Sequence, residues 1–235
     1  MKALILAAGL GTRLAPLTND RPKSLVTVNG KAILEKQIEN LLLNDVTDIT
    51  IVSGYQADAL EKAIHGKWPQ IHIICNDVYE NTNNMYSAFL SEPYLNHMDF
   101  LMMNADVFFD SSVISSLLSF SAPNAIVTDI GTYYEESMKV RVSNKKIIEI
   151  SKAITKEDAF GSSIDVYKFS ADGGAAFFSK CSAYIDEKKE LKKWSEIALN
   201  EALADVDFYP CPLNGRWFEI DTKEDLQIAE SIFKE

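Results

Sequence analysis

Short apolar runs alternate with amphipathic stretches through the first half of the chain. Residues 2–6 are almost wholly apolar and predict a buried strand. Residues 31–44 follow an Asn29-Gly30 turn and set Ile33, Leu34, Ile38, Leu41 and Leu42 on one helical face. The pattern then predicts strands over residues 49–53, 71–75, 100–103 and 125–128, separated by helices over 57–65, 84–91 and 111–119. Strands joined through helices are βαβ units. The expected fold class is therefore α/β: a doubly wound, mostly parallel, Rossmann-like sheet.

Beyond residue 130 the pattern changes. Residues 139–142 and 147–150, around Asn144-Lys145, predict a hairpin, and a further strand is expected over 165–169. Helices follow over 175–187 and 195–204, then strands over 206–209 and 217–220. A closing helix is expected over 222–234, with Thr222 as its N-cap and Asp225 at its third position. No repeat, low-complexity tract or Pro/Gly-rich linker interrupts the chain. Residues 1–235 are thus expected to form one domain, a first half of about 1–130 and an elaborated second half of about 131–235.

Composition narrows the function. The 235 residues include 34 acidic and 23 basic side chains, for a formal charge of −11. That balance argues against a protein that coats nucleic acid or an anionic membrane surface. Any phosphate chemistry must then rest on a few well-placed cations. Cys75, Cys181 and Cys211 are widely spaced and form no C-x-x-C pair, as expected of reduced thiols in a cytoplasmic protein. The apolar N-terminus resembles a short signal peptide, but Gly9-Leu10-Gly11-Thr12-Arg13 makes a poor cleavage region. A first strand running into a glycine turn explains the same residues better.

That turn is the most informative segment. Leu6-Ala7-Ala8-Gly9-Leu10-Gly11-Thr12-Arg13 exposes backbone N–H groups that phosphate oxygens can accept from, and its small residues leave room for the approach. Arg13 can fork onto a polyphosphate, and Lys23 offers a compact charge. Taken alone, a Gly-x-Gly turn followed by Arg and Lys is an ordinary surface loop. The dinucleotide fingerprint fails because position 14 is Leu, and no Gly-Lys-Ser/Thr of a P-loop is present. Asp106 follows the apolar run 100–103 and is expected at the carboxyl end of a parallel strand, where open α/β sheets bind ligands. Asp110 reads as the N-cap of helix 111–119.

The stretch Leu6 to Arg13, followed by Arg21-Pro22-Lys23-Ser24-Leu25, closely resembles the signature of the nucleotidyltransferases that make activated sugars and small head groups. The resemblance implies that Ala8, Gly9 and Gly11 bear on the nucleotide, Arg13 on the β- and γ-phosphates, and Lys23 on the α-phosphate. Leu6, Thr12 and Ala105 complete that side of the site. It also implies Mg²⁺ as cofactor, held by Asp106 and by Asp221 of the late segment Glu219-Ile220-Asp221. Without the resemblance, Asp221 reads as a helix-start acid.

Asn83-Asn84-Met85-Tyr86-Ser87, with Gly54-Tyr55, resembles the phosphocholine, aminoalkylphosphonate and phosphoglutamine cytidylyltransferases. This implies Gly54, Tyr55, Asn84 and Ser87 as further nucleotide contacts. Met138-Lys139-Val140 and Ile150-Ser151-Lys152 fit the same branch and imply that Lys152 meets the acceptor phosphate or phosphonate. Arg13, Lys23 and Lys152 form the expected catalytic set, and Lys152, Tyr133, Trp217 and Glu219 the acceptor-facing set. Tyr133, Tyr134, Glu135, Glu136 and Trp217 could cage a quaternary ammonium, although such residues are commonly packing residues. The partners expected are CTP and a small acceptor, with no nucleic acid or membrane; a homodimer is a family-level expectation. The alternatives are a hexose-1-phosphate uridylyl- or thymidylyltransferase and a non-catalytic nucleotide-binding regulator.

Overall fold

The computed structural model describes residues 1–234. In chain order the strands and helices are β1 (Lys2–Ala7), β2 (Thr27–Val28), β3 (Lys31–Ala32), α1 (Ile33–Leu42), β4 (Asp48–Ser53), α2 (Ala57–His65) and β5 (His72–Cys75). Then come α3 (Asn84–Leu90), α4 (Glu92–Leu95), β6 (Phe100–Asn104), β7 (Val107–Phe109), α5 (Ser112–Ser119) and β8 (Ala125–Ile130). The second half adds β9 (Lys139–Ser143), β10 (Lys146–Ser151), β11 (Gly161–Phe169), α6 (Ala171–Ser182), α7 (Ser195–Ala202), β12 (Tyr209–Pro212), β13 (Trp217–Glu219) and α8 (Lys223–Ile232).

A nine-stranded mixed sheet organises these elements, in the order β10-β9-β11-β6-β1-β4-β5, with β8 on β11 and β12 on β8. The run β6-β1-β4-β5 is parallel, whereas β11 lies antiparallel to β6, β8 and β9. β1 shows why its sequence is apolar throughout. Ala3, Ile5 and Ala7 enter one core with α1, α2 and α5, while Leu4 and Leu6 enter another with α3, α6 and α7. A strand covered on both faces has no polar side to display. The residues that resemble a signal peptide are thus the centre of the sheet.

β4 and β5 grow from one side of β1, and β6 from the other. The order reverses at β1/β6, and a crevice opens there beyond the strands' carboxyl ends. A third, smaller core of Leu14, Val26, Ile33, Phe108, Ile220 and Phe233 docks α8 beside that crevice.

Four expectations change. Asp110 is not the cap of α5: its carboxylate accepts from the Arg216 backbone N–H at 2.9 Å and from the guanidinium at 3.0 Å, and Ser111 precedes the helix. The strand expected over 206–209 lies at Tyr209–Pro212, because the Asp205 and Val206 N–H groups still donate back to the Ala202 carbonyl in the turn after α7 and Phe208 pairs only as a lone bridge with Ile147. The helix expected from 175 begins at Ala171 and passes through two glycines. A Cβ on Gly173 would lie 2.1 Å from Asn124 Oδ1, and one on Gly174 2.8 Å from Phe100, so close packing requires them where propensity discourages them. β7 was not anticipated, since its partner β13 is distant in sequence.

The closing helix is capped as its sequence suggests. Thr222 Oγ1 accepts from Asp225 N–H at 3.1 Å, and the Asp225 carboxylate accepts from Thr222 N–H at 2.8 Å. Thr222→Ala should cost about 1 kcal/mol. Thermal melting should then show a fall in Tm of about 2–4 °C, and an unchanged Tm would remove the cap from the account.

Candidate active site

The crevice holds a cavity of about 420 Å³, within the range of small-molecule sites. Its floor is the glycine loop after β1. Gly11 has φ +61°, and a Cβ there would stand 2.7 Å from Lys23 Cβ, so the loop closes tightly over the start of the lysine stem. Lys23 opens a single 3₁₀ turn after Pro22.

One backbone pairing assembles the acids. β7 and β13 run antiparallel with Glu219 opposite Val107, and Ile220 N–H donates to the Asp106 carbonyl at 2.9 Å. Asp106, Glu219 and Asp221 thereby offer carboxylate oxygens that all lie within 4.8 Å of one another. Lys23 Nζ donates to Asp106 Oδ2 at 3.0 Å and to Asp221 Oδ1 at 2.5 Å, and Arg13 pairs with Asp221 Oδ2 at 2.8 Å. Burial alone would raise the Asp221 pKa, but the two cations outweigh it and hold it below the usual range. Glu219 has no such partner. Burial, then the charges of Asp106, Asp165 and Asp221, push it up to about 9, so it holds a proton at neutral pH.

The set fits a magnesium ion. It is all oxygen, as a hard cation requires, and Asp106 Oδ1 is buried without a hydrogen-bond partner. Asp106 and Asp221 would hold the ion, with Glu219 beside them.

A second acidic group lies deeper. Asp165 adopts φ +57° where β11 slips register against β8, and this bulge turns its carboxylate into the cavity. Asn104 Nδ2 donates to Asp165 at 3.0 Å; the Tyr167 hydroxyl lies 2.8 Å from Asp165 and 3.1 Å from Glu196. One hydroxyl proton cannot serve both carboxylates. Burial raises both acids, and the charges of Glu196 and Asp106 add to it at Asp165, which is pushed up to about 7. Across the same space, Lys152 Nζ sits 5.1 Å from the centre of the Trp194 ring.

Of the residues singled out from sequence, Leu6, Ala8, Gly9, Arg13, Lys23, Asn84 and Ser87 line this cavity, as do Ala105, Asp106, Lys152, Glu219 and Asp221. Gly11 and Thr12 do not line it. Gly54 backs the loop, where a Cβ would meet Ala8 at 2.8 Å, and Tyr55 donates its hydroxyl to the Thr18 carbonyl at 2.9 Å. Tyr133 and Trp217 do not line it either. Tyr133 faces buried Lys139, with 5.0 Å from Nζ to the ring centre, and Trp217 donates to Asp129 at 3.2 Å while packing on Tyr134. The aromatic wall is Trp194 instead.

Sequence reasoning also passed over Asn76, Ser137, Asp165 and Glu196, which line the cavity. Asp165 had one legible signal, an acid set between Ile164 and Val166 within a strand. Trp194 sits after a lysine-rich stretch that reads as solvated surface.

Residues 2–139 match the nucleotidyl transferase family, and the chain belongs to it. It is an enzyme of that class. Among its relatives, choline-phosphate cytidylyltransferase of Streptococcus pneumoniae is 30% identical over 244 residues, covering 100% of this chain and 99% of the relative. CTP:phosphoglutamine cytidylyltransferase of Campylobacter jejuni is 26% identical over 254 residues, covering 97% and 98%. The solved structure of CTP:phosphocholine cytidylyltransferase from Streptococcus pneumoniae superposes with a TM-score of 0.81 at 28% identity, over 99% of each chain. Among the described residues no helix is long and apolar enough to cross a membrane.

The raised Asp165 pKa gives a signed prediction. An unfolded aspartate releases its proton near pH 3.9, whereas the folded protein keeps it up to about pH 7. Between those values the folded state binds more protons, so this group's contribution to stability falls as pH rises through the window. Asp165→Asn mimics the protonated form. Melting curves should show a flatter pH dependence between about 4 and 7 and a higher Tm at pH 8 than wild type. An unchanged profile would show that Asp165 is charged throughout.

Proposed function

We propose that this chain is a magnesium-dependent cytidylyltransferase that joins CMP from CTP to a small phosphate or phosphonate carrying a cationic group. The observation that carries the reading is the composition of one cavity. A glycine loop, Arg13, Lys23 and the carboxylates Asp106 and Asp221 line the same cavity as Lys152, Trp194 and buried Asp165 and Glu196. The first set suits a triphosphate and its metal. The second suits an acceptor with an anionic and a cationic end: Lys152 for the phosphate, the indole and two acids for an ammonium. The activities of its relatives support the same choice of nucleotide and acceptor class.

Chemistry follows from placement. The acceptor is already an oxyanion near neutral pH, since a phosphate monoester has a second pKa of about 6, so no general base is needed. Its oxygen forms a bond to the α-phosphorus in line with the bond to the β-phosphate oxygen. That bond breaks, and pyrophosphate leaves with the electron pair. Lys23 neutralises charge on the α-phosphoryl group and Arg13 on the departing pyrophosphate, while backbone N–H groups of the glycine loop cradle the phosphates. The Mg²⁺ held by Asp106 and Asp221 supplies further charge neutralisation when bound. Asn84 and Ser87 also line the cavity: Asn76 Nδ2 fixes Ser87 by donating to its hydroxyl at 3.2 Å, and Asn84 Oδ1 accepts from Ser195 N–H at 2.8 Å.

Pyrophosphate release from four nucleoside triphosphates, each paired with phosphocholine, 2-aminoethylphosphonate, phosphoglutamine and glucose 1-phosphate, tests the reading. Turnover is expected with CTP and an acceptor of the cationic class; turnover confined to UTP or dTTP with glucose 1-phosphate would overturn it. Two variants separate the two sets of residues. Lys152→Ala and Glu196→Gln should each raise the acceptor KM at least about tenfold, a loss of roughly 1.4 kcal/mol, with the CTP KM within about twofold of wild type. An equal rise in both would remove these residues from acceptor binding.

A further inference from the structure

The lysine between the carboxylates stands where a metal would have to stand. Lys23 Nζ takes Asp221 Oδ1 and Asp106 Oδ2, and Arg13 takes Asp221 Oδ2. Of the four oxygens on these two acids, only Asp106 Oδ1 is left without a partner. The side chain is 13% exposed, so water screens the contact poorly. A magnesium ion binds carboxylate oxygens at about 2.0–2.1 Å, and its charge would repel an ammonium sharing the same oxygens. The two cations exclude one another.

We infer that Lys23 is an internal cation which closes the carboxylate group in the free protein, so that a divalent ion enters only as Lys23 withdraws. The inference rests on Asp106 and Asp221 as the metal-binding acids and not on the choice of nucleotide or acceptor. It makes Lys23 a switch between two partners of like sign. In the free protein it neutralises acids that would otherwise repel one another. When an anionic phosphate draws the ammonium away, the same acids are released for the metal. Binding is thereby ordered, with the triphosphate preparing the site for its ion.

The local structure permits this motion and limits it. Lys23 Cβ is held by the close approach of Gly11, 2.7 Å from where a glycine Cβ would stand, so the root of the side chain stays fixed. The stem beyond Cβ has several rotatable bonds and ends in a point charge, so it can exchange partners by rotamer changes alone. The affinity of the free protein for a metal is reduced by the fraction of time the acids are open.

The test uses Mn²⁺ as the probe, with no nucleotide present, and reads bound against free ion by electron paramagnetic resonance. Lys23→Met should bind Mn²⁺ at least about tenfold more tightly than wild type. Lys23→Arg, whose fork keeps both carboxylates, should bind no more tightly than wild type. Equal or weaker binding by folded Lys23→Met would overturn the inference. Wild type supplies a second measurement should that variant fail to fold. Acetylation of the Lys23 amine by a water-soluble ester, followed by peptide mass spectrometry, is compared without metal and at Mn²⁺ concentrations that saturate the wild-type protein. Labelling should rise several-fold as the ammonium is released, and unchanged or reduced labelling would overturn the inference.

Discussion

The site depends on a single short pairing, that of β7 with β13. Without it, Asp106 is one acid at the end of a parallel strand and Asp221 one acid ahead of a helix. The ladder sets Glu219 opposite Val107 and brings Ile220 N–H onto the Asp106 carbonyl, so backbone hydrogen bonds force like charges together. Such crowding persists only where something offsets it. Here Lys23 and Arg13 do so from the glycine loop and the turn after it, and Glu219 does so by retaining its proton. The small core that docks α8 keeps β13 in register and so stands behind the charge arrangement.

Local signals made much of the fold legible. The two-sided burial of β1, the helix Ala57–His65 and the Thr222 cap depend on near neighbours, and sequence pattern reports near neighbours well. The elements misplaced are those fixed from afar. Asp110 is drawn from its helix by Arg216, a β7 strand exists because β13 reaches it, and α6 runs through glycines because Asn124 and Phe100 lie against them. A stretch of sequence carries little trace of a partner a hundred residues away.

The candidate site divides along the same line. The glycine loop, Arg13 and Lys23 were readable because their spacing resembles a family signature, and Asp106 because it follows a parallel strand. The rest of the cavity wall was not. Tyr133 and Trp217 had the right composition for an aromatic wall but do not line the cavity, while Trp194 and Glu196 arrive from a helix start with no distinguishing pattern. Asp165 is the intermediate case. An acid between two apolar strand residues was visible, but its direction came from a left-handed residue in a bulge, which no periodicity encodes.

The sequence separations within the ion-pair cluster carry a consequence for biosynthesis. Lys23 meets Asp106 across 83 residues and Asp221 across 198. A ribosome therefore completes the glycine loop, the parallel strands and Asp106 long before Asp221 is made. Until β13 has emerged, the nascent protein has only one of the two aspartates that Lys23 bridges. Assembly of the charged centre thus waits on the synthesis of β13 and Asp221, after the parallel strands are made.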